Sequence, residues 1–127
     1  MISSLHRFHG HNSLRNVYKH GKTVRTPNLS LKYTKRPAKP YRIAVVVSKK
    51  VHKSAVTRNR IRRRLYEICR KQQDINMDGY DLVFTVFSDQ LAKIEAAKLE
   101  KTVAELLKKA ITTSVGHDIV KADKTGK

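Results

Sequence analysis

The sequence is poor in cysteine and in long apolar runs, and each shortage excludes a class of protein. A single cysteine, Cys69, allows neither an intrachain disulfide nor a cysteine-based zinc cluster. No apolar run approaches the roughly 20 residues that span a bilayer, and the N-terminal stretch "MISSLHRFHGHNSL" lacks the apolar core of a signal peptide. We therefore expect no membrane partner and a cytoplasmic location.

Acidic residues are also scarce: 10 aspartates and glutamates face 28 lysines and arginines, and the formal net charge is +18. Such an excess repels itself and works against compaction, which makes sense if a polyanion is the usual partner. Nucleic acid is the leading candidate. A protein nuclease would need carboxylates to gather metal ions. Asp78 and Asp81 are the one tempting pair, and a turn followed by a strand start explains them better.

The length of 127 residues indicates one domain with a small core. We assign residues 1–115 to this domain and treat residues 1–11 as an irregular lead-in. Residues 116–127 should form a flexible basic tail.

Candidate metal-ligating and catalytic residues are few. His6, His9 and His11 lie close together, but no cysteine or acid accompanies them, which favours a polar lead-in over a metal site. His52 follows a pair of lysines and is better explained as a neighbour of phosphate than as a catalyst. Cys69 borders an apolar stripe, where a small buried hydrophobe is the expected role.

Hydrophobic periodicity predicts the order helix, strand, strand, helix, strand, helix. The two buried strands on either side of the long central helix form a βαβ unit and should be parallel. A further short strand near Thr23–Arg25 is left open. The predicted elements are a short helix from Asn12 or Ser13 to about His20 with Leu14, Val17 and Tyr18 on its apolar face, a half-buried strand in Asn28–Lys35, a strand buried on both faces over Ile43–Val47, a helix over Ala55–Gln72, a buried strand over Leu82–Phe87, and a helix from Gln90 to about Thr113, capped by Ser88 or Asp89.

The central helix, "AVTRNRIRRRLYEICRK", carries arginine from its first turn, where the positive end of the helix dipole disfavours cations. One acid, Glu67, is available to pair with Arg63 and Lys71 at i,i+4 and cannot neutralise the rest. At about 100° per residue, the apolar side chains form one stripe, as in a surface helix. The stripe comprises Ile61, Leu65, Ile68 and Cys69; Arg60, Arg63, Arg64, Arg70 and Lys71 lie on the far side, and Arg58 and Arg62 flank the stripe near Tyr66.

The loop before this helix adds further cations to the helix start. A solvated charged face would be the ordinary interpretation of such a run. Loop cations and the N–H groups of a helix start, however, make a concentrated anion site, and the arginine fork suits phosphate oxygens. Asn59 adds an amide for a base edge or sugar hydroxyl. A helix embedded between two strands is unlike a DNA major-groove reader, so RNA is favoured.

The stretch "VSKKVHKSAVTRNRIRRRLYEICR" resembles the signature of the bacterial ribonuclease P protein component: two lysines after a buried strand, a short loop, then Arg-Asn-Arg opening the central helix. "LRNVYKHG", "NLSLKY" and "GYDLVFTV" resemble the family's first helix, early strand and later strand, and the likeness covers roughly Leu5 to Ile111. It implies an α+β fold, a two-layer sandwich of a roughly four-stranded sheet with three helices. It also implies a βαβ unit with a left-handed crossover, ribosomal protein S5 domain 2-like.

The resemblance implies a subunit of ribonuclease P. In that family the RNA subunit cleaves precursor tRNA with Mg²⁺, which is bound chiefly by RNA, while the protein docks on this catalytic RNA and holds the 5′ leader in a cleft between the first helix and the sheet. The implied partners are the ribonuclease P RNA subunit and precursor tRNA, and the protein would supply no catalytic or metal-ligating residue. The implied docking residues are Lys49, Lys50, Lys53, Arg58, Asn59, Arg60, Arg62 and Arg63; the implied cleft residues are Leu14, Tyr18 and Lys32.

Four positions depart from the family pattern. The family usually has an aromatic residue where Leu14 stands and often one where Lys32 stands, and basic residues are common at the positions of Tyr66 and Phe87. Stacking of the leader would therefore rest on Tyr18, helped by the charge of Lys32. The alternative is a non-catalytic structural RNA-binding protein such as a ribosomal component, and a DNA-binding regulator is a distant third. The spacing of the lysine pair and Arg-Asn-Arg favours ribonuclease P.

Overall fold

A computed structural model describes residues 6–8, 11–72 and 75–123, with residues 11, 12 and 112–123 described for the backbone alone. Its helices and strands follow the predicted order, and the strand left open near Thr23 is present. In chain order they are α1 (His11–His20), β1 (Lys22–Arg25), β2 (Leu29–Lys35), β3 (Arg42–Val46), α2 (Ala55–Lys71), β4 (Tyr80–Val86), a 3₁₀ helix (Asp89–Ala92) and α3 (Ala96–Asp123).

The four strands form one sheet in the order β1-β2-β4-β3. Strand β2 is antiparallel to both β1 and β4, whereas β3 and β4 are parallel, as the βαβ pattern predicted. Opposite residues include Val24 with Leu31, Leu31 with Phe84, and Val45 with Phe84, so the register carries one apolar row across the sheet. The α+β fold is confirmed, and the handedness of the crossover stays a prediction.

The main core lies between one face of this sheet and the two long helices. Strand β2 shows the predicted alternation, because its apolar side chains point to this face and Ser30, Lys32 and Thr34 point to the other. The members with no solvent exposure are Leu29, Leu31, Ile61, Leu65, Cys69, Leu82, Phe84, Leu99, Val103, Leu106, Leu107 and Ala110. The predicted stripe of α2 is confirmed except at Ile68, which is only partly buried at the edge of the core.

Strand β3 was predicted to be buried on both faces, and this was wrong. Ile43 and Val45 are buried, but Ala44 and Val46 are only half-buried. The reason is position: β3 is the edge strand, and α2 covers one of its faces only. Strand β4 lies between β2 and β3 and is buried on both faces as predicted, with Val83 fully buried on the side away from the main core.

Helix α1 packs on this second face of the sheet. Its Val17 is fully buried, Leu14 is half-buried, and Tyr18 remains 44% exposed. The predicted apolar face of α1 is therefore buried at Val17 and open toward solvent at Tyr18. The helix can approach β2 closely because Gly21 follows it: a Cβ there would overlap the Val17 carbonyl oxygen and lie 3.0 Å from Lys32 Cγ.

A buried ionic cluster, which we call the Asp81 cluster, ties α1 to the strands and comprises Asp81, Arg36, Arg42 and Ser13. Arg42 donates from Nε to Asp81 Oδ1 at 2.8 Å and from Nη2 to Oδ2 at 2.6 Å, and Arg36 Nε lies 3.1 Å from Oδ1. Arg42 Nη1 also donates to Ser13 Oγ at 3.0 Å. The bond to Asp81 raises the pKa of Arg42. The Asp81 carboxylate therefore has the structural role favoured by the sequence.

The last helix was predicted to start at Gln90, and this was wrong. Ser88 does act as a cap, but of the 3₁₀ helix, where its side chain accepts from the Gln90 backbone N–H; α3 starts only at Ala96. Arg64 of α2 donates to two backbone carbonyls of the segment before α3, those of Leu91 at 2.7 Å and Ile94 at 2.5 Å.

Helix α3 continues to Asp123, beyond the predicted end near Thr113. Residues 124–127 of the predicted tail lie outside the described residues. The flexibility expected of residues 116–127 stays a prediction.

The lead-in was expected to be irregular, but its described part contacts the sheet. Arg7 forms an isolated parallel bridge with Ile43 on the outer edge of β3. The His6 ring stacks on Tyr41 with centroids 3.8 Å apart, and its Nδ1 lies 2.9 Å from the Tyr41 carbonyl oxygen. The edge strand offers unpaired backbone groups at this point, which explains the attachment. His9 lies outside the described residues.

Candidate metal clusters and membrane spans are both absent from the part of the chain that the structure describes. No group of three or more His, Cys, Asp or Glu side chains in that part of the chain could hold a metal ion. No helix there is both long enough and apolar enough to cross a membrane.

Candidate nucleic-acid interface

The first group of predicted RNA-binding residues surrounds the start of α2, and we call it the docking surface. Most of its cations point into solvent, although Arg58 and Arg62 are half-buried along the flank of the apolar stripe. The loop and the helix start thus bring the predicted residues together on one end of the molecule. The docking surface consists of Lys49, Lys50, Lys53, Arg58, Asn59, Arg60, Arg62 and Arg63.

Local hydrogen bonds from backbone N–H groups fix the loop that carries the lysines. Ser54 is the N-cap of α2, and its side chain accepts from the Thr57 N–H at 3.3 Å. His52 Nδ1 accepts from the Ser54 N–H at 3.0 Å, and the Val51 N–H donates to the Ser48 carbonyl at 3.0 Å. Ser54 was not predicted as the cap, although a serine before an apolar-periodic run is a known helix-start signal. The loop lysines are therefore presented from an ordered turn.

Polar contacts within the docking surface orient its side chains. Arg62 donates to the side-chain oxygen of Asn59, one turn earlier on the helix. This contact uses the amide oxygen, so the NH₂ group is the part of Asn59 that faces a ligand as a donor. The Nε of Arg58 is buried and has no hydrogen-bond partner among the described residues. An unpaired buried donor is costly. Because solvent does not reach this atom, a phosphate contact of Arg58 would come from its terminal nitrogens.

Two arginines of α2 are engaged within the protein. Arg64 was assigned to the far, solvated side, but its guanidinium holds the 3₁₀ segment as described above. Arg70 donates to Glu67 Oε1 at 2.7 and 3.1 Å, and this pair at i,i+3 stands in place of the predicted pairs with Arg63 and Lys71. Arg70 lowers the pKa of Glu67 to about 2. Arg63, the neighbour of Arg64, is exposed and belongs to the docking surface.

The predicted cleft residues lie between α1 and the second face of the sheet. Lys32 Nζ lies 6.0 Å from the centroid of the Tyr18 ring, at the outer limit of a cation–π contact. Leu14 is half-buried one turn before Tyr18 on the same helix. The structure therefore brings these three residues to one side of the sheet, and Tyr18 offers the exposed ring.

The floor beside α1 is a strip of sheet left partly open. Ala44, Val46 and Thr85 point to the same face as Lys32, and all three are half-buried, although their neighbours on the core face are buried. These small, half-buried side chains leave a strip of the sheet partly open on the α1 side. We call this strip, together with Tyr18, the cleft.

A further aromatic–cation pair stands at the far end of the cleft, and the sequence analysis did not find it. Phe87 is 47% exposed, and the Arg25 guanidinium carbon lies 5.6 Å from its ring centroid. The sequence marked Phe87 only as a departure from the family pattern. The pair becomes visible only from the strand register. Arg25 lies opposite Ser30, and the Phe87 N–H donates to the Asn28 carbonyl at 2.9 Å, so both residues lie beside the start of β2.

Comparisons with known proteins agree with the fold. The family model described as Ribonuclease P matches residues 2–111. A ribonuclease P protein component of Clostridium botulinum is 41% identical over 97 residues, covering 76% of this chain and 86% of the relative. One from a Synechococcus strain is 32% identical, covering 100% and 98%. The solved RNase P protein of Thermotoga maritima superposes with a TM-score of 0.72 at 22% identity, covering 81% of this chain and 96% of that one. The chain belongs to the ribonuclease P protein family.

Proposed function

We propose that this protein is the subunit of ribonuclease P that binds the catalytic RNA and the 5′ leader of precursor tRNA. The docking surface would contact the RNA subunit, and the cleft would hold the single-stranded leader. The reaction is endonucleolytic removal of the leader, in tRNA 5′-end maturation in the cytoplasm. The RNA subunit would perform this chemistry with Mg²⁺.

The observation that carries the proposal is the uncompensated charge of the docking surface. Arg60 and Arg63 are exposed beside the loop lysines, and the acid of α2, Glu67, pairs with Arg70 instead. Cations at a helix start oppose the helix dipole, so this arrangement is costly in the isolated protein. Phosphates of a bound RNA would supply the countercharge, and each arginine can bind a phosphate bidentately.

The contacts of Asp78 and Asp81, the one carboxylate pair singled out in the sequence, support an RNA-centred reaction. Asp81 is 3% exposed and is bound by two arginines, and Asp78 accepts from the Tyr41 N–H at 3.2 Å. Neither is arranged to receive a divalent ion, so these residues do not fit a protein-bound Mg²⁺ site. We propose that Mg²⁺ is held chiefly by the RNA, and that the protein adds positive charge where RNA and substrate phosphates approach each other.

The test is a cleavage assay with a bacterial ribonuclease P RNA and a precursor tRNA at low Mg²⁺. Phosphate repulsion is then least screened, so the protein should accelerate cleavage most strongly. A rate no faster than that of the RNA alone would overturn the proposal. A structural RNA-binding protein, the alternative, would bind RNA without this acceleration.

Two variants test the docking surface and the cleft separately in the same assay. Arg60→Ala should weaken binding to the catalytic RNA, because it removes a phosphate contact. Tyr18→Ala should weaken binding of leader-bearing substrate by about 5-fold or more and leave binding of mature tRNA unchanged, because it removes a stacking ring. Equal effects of both variants on both ligands would contradict the division into a docking surface and a cleft.

A further inference from the structure

The pair formed by Phe87 and Arg25 has the properties of a base-stacking site. A single exposed apolar residue needs no explanation, but this ring is aromatic, nearly half-exposed and accompanied by a guanidinium. Thr26 and Pro27 line the same shallow depression beside the ring. Every base has a π-face that can stack on such a ring, and arginine adds a cation–π contribution or a phosphate contact.

The strand register places this pair on the cleft face of the sheet. Arg25 lies opposite Ser30, and directly opposed residues share a face. Ser30 alternates with Leu29 and Leu31, which belong to the main core, so Arg25 points to the same side as Lys32. Phe87 follows Val86, a core residue, and its ring contacts Arg25 on that side. Tyr18 and Phe87 therefore stand at two ends of one face.

The spacing of the two rings suits one continuous strand of nucleic acid. Lys32, under Tyr18, is four residues from Asn28, the backbone partner of Phe87, or about 13 Å along β2. Thr85, a half-buried residue of the cleft floor, lies opposite Ser30, midway between them. If the pairing of Val46 with Thr85 is extended by two residues, Phe87 stands beside Ser48, where the lysine loop begins. The pair thus lies between the cleft and the docking surface.

We infer that Arg25 and Phe87 form a second stacking site for an unpaired base of the precursor tRNA leader, at the end of the cleft next to the lysine loop. The inference rests on the proposed function and adds a site to it. The site would also give the cleft a second stacking ring, Phe87, although Leu14 and Lys32 stand where the family often has aromatic residues.

The test uses the holoenzyme assembled from this protein and a bacterial ribonuclease P RNA, with precursor tRNAs whose leaders are shortened one nucleotide at a time. Phe87→Leu should weaken binding of the full-leader substrate by about 5-fold or more, because it keeps apolar area and loses the π-face. The matched control, Phe87→Tyr, should bind like the unmodified protein. The effect of Phe87→Leu should vanish once the leader is too short to reach the site.

Three results separate the failure of this inference from that of the proposed function. If the unmodified protein does not accelerate cleavage, the proposed function fails. If Tyr18→Ala weakens leader binding and Phe87→Leu does not, only the stacking site fails. If Phe87→Leu instead weakens binding of the RNA subunit without substrate, the pair belongs to the docking surface and the inference is also overturned. Melting temperatures of both Phe87 variants check that the fold is retained.

Discussion

At the scale of single residues, neighbours in the sequence of α2 differ in role. Arg63 is exposed at the docking surface, whereas Arg64 holds the carbonyls of Leu91 and Ile94. Periodicity placed both on the solvated side of the helix, because it cannot show that the 3₁₀ segment packs against that side. Tyr66 likewise has a structural contact, since its hydroxyl accepts from the Val45 N–H at 3.3 Å.

We therefore expect Arg64→Ala to lower mainly the stability of the fold and Arg63→Ala to lower mainly the affinity for RNA. Arg64→Ala removes two charge-assisted hydrogen bonds and should lower the free energy of unfolding by about 1.5–3 kcal/mol. Arg63→Ala should change it by less than about 0.5 kcal/mol and weaken RNA binding instead. Urea denaturation and RNA titration of both variants check this. Equal loss of stability in the two variants would contradict the assignment.

The buried thiol gives a prediction about pH. Burial raises the pKa of Cys69 from 9.0 to about 12. Above about pH 9 the unfolded chain loses the thiol proton while the folded chain keeps it, so the unfolded state binds fewer protons and stability falls as pH rises. Between about pH 9 and 12 this group should lower the free energy of unfolding by up to about 1.4 kcal/mol per pH unit.

Comparison with Cys69→Ala removes most of the background from Tyr41 and Tyr66, because burial is the main cause of their raised pKa values and Cys69 adds only a smaller part. The difference in unfolding free energy between the two proteins, followed by denaturant titration from pH 8 to 11, should shrink as pH rises. A difference independent of pH would show that the thiol ionises in the folded state.

At the scale of helices and strands, local sequence patterns predicted most elements correctly. They failed where tertiary contacts determine the end of an element or the burial of a face. The alternation of β2 and the stripe of α2 were readable because each reflects one buried face. The start of α3 was not, because Leu91 and Ala92 are buried in a 3₁₀ helix whose apolar pattern is too short to distinguish from the first turn of an α-helix. The exposure of one β3 face also depends on strand order, which the sequence does not state.

The close packing of α1 on the sheet depends on Gly21, the residue that follows the helix. Gly21→Ala should lower the free energy of unfolding by about 1–3 kcal/mol, because the new methyl group overlaps the Val17 carbonyl and crowds Tyr33 O at 3.1 Å. The displaced helix should also bind the leader more weakly. Gly79→Ala is the matched control: Gly79 has φ +90° and open space around it, so strain alone should cost about 1 kcal/mol. The control should leave leader binding intact, and the measurements are denaturant unfolding and substrate titration.

At the scale of the whole molecule, the net charge of +18 sets how binding responds to salt. With about six to eight phosphate contacts, the slope of log affinity against log salt should lie near −5 to −7. Arg58→Ala should make the slope shallower by about 1, while Lys108→Ala, on the exposed side of α3, should not change it. Titrations at several potassium chloride concentrations measure these slopes. A slope near zero would contradict phosphate contacts as the main source of affinity.

The sequence predicted the docking surface more completely than the cleft, and the cause is their construction. The docking surface comes from one continuous stretch, Lys49–Arg63, so charge density and helix periodicity are enough to find it. The cleft combines α1 with strands β2, β3 and β4, and only the strand register shows that Phe87 meets Arg25 of β1 at its end. The Asp81 cluster similarly joins side chains far apart in the chain.

The strand order also constrains when the protein can fold during translation. Strand β4 is the last strand to leave the ribosome, yet it lies between β2 and β3 and pairs with both. Until residues 80–86 have emerged, β3 has no strand partner among the four, and Asp81 is not available to Arg42. The cleft therefore becomes ordered late in synthesis, whereas the hydrogen bonds that hold the lysine loop and the start of α2 are local and do not wait for β4. A nascent chain stopped before β4 would carry its basic residues without the complete sheet on which α2 packs.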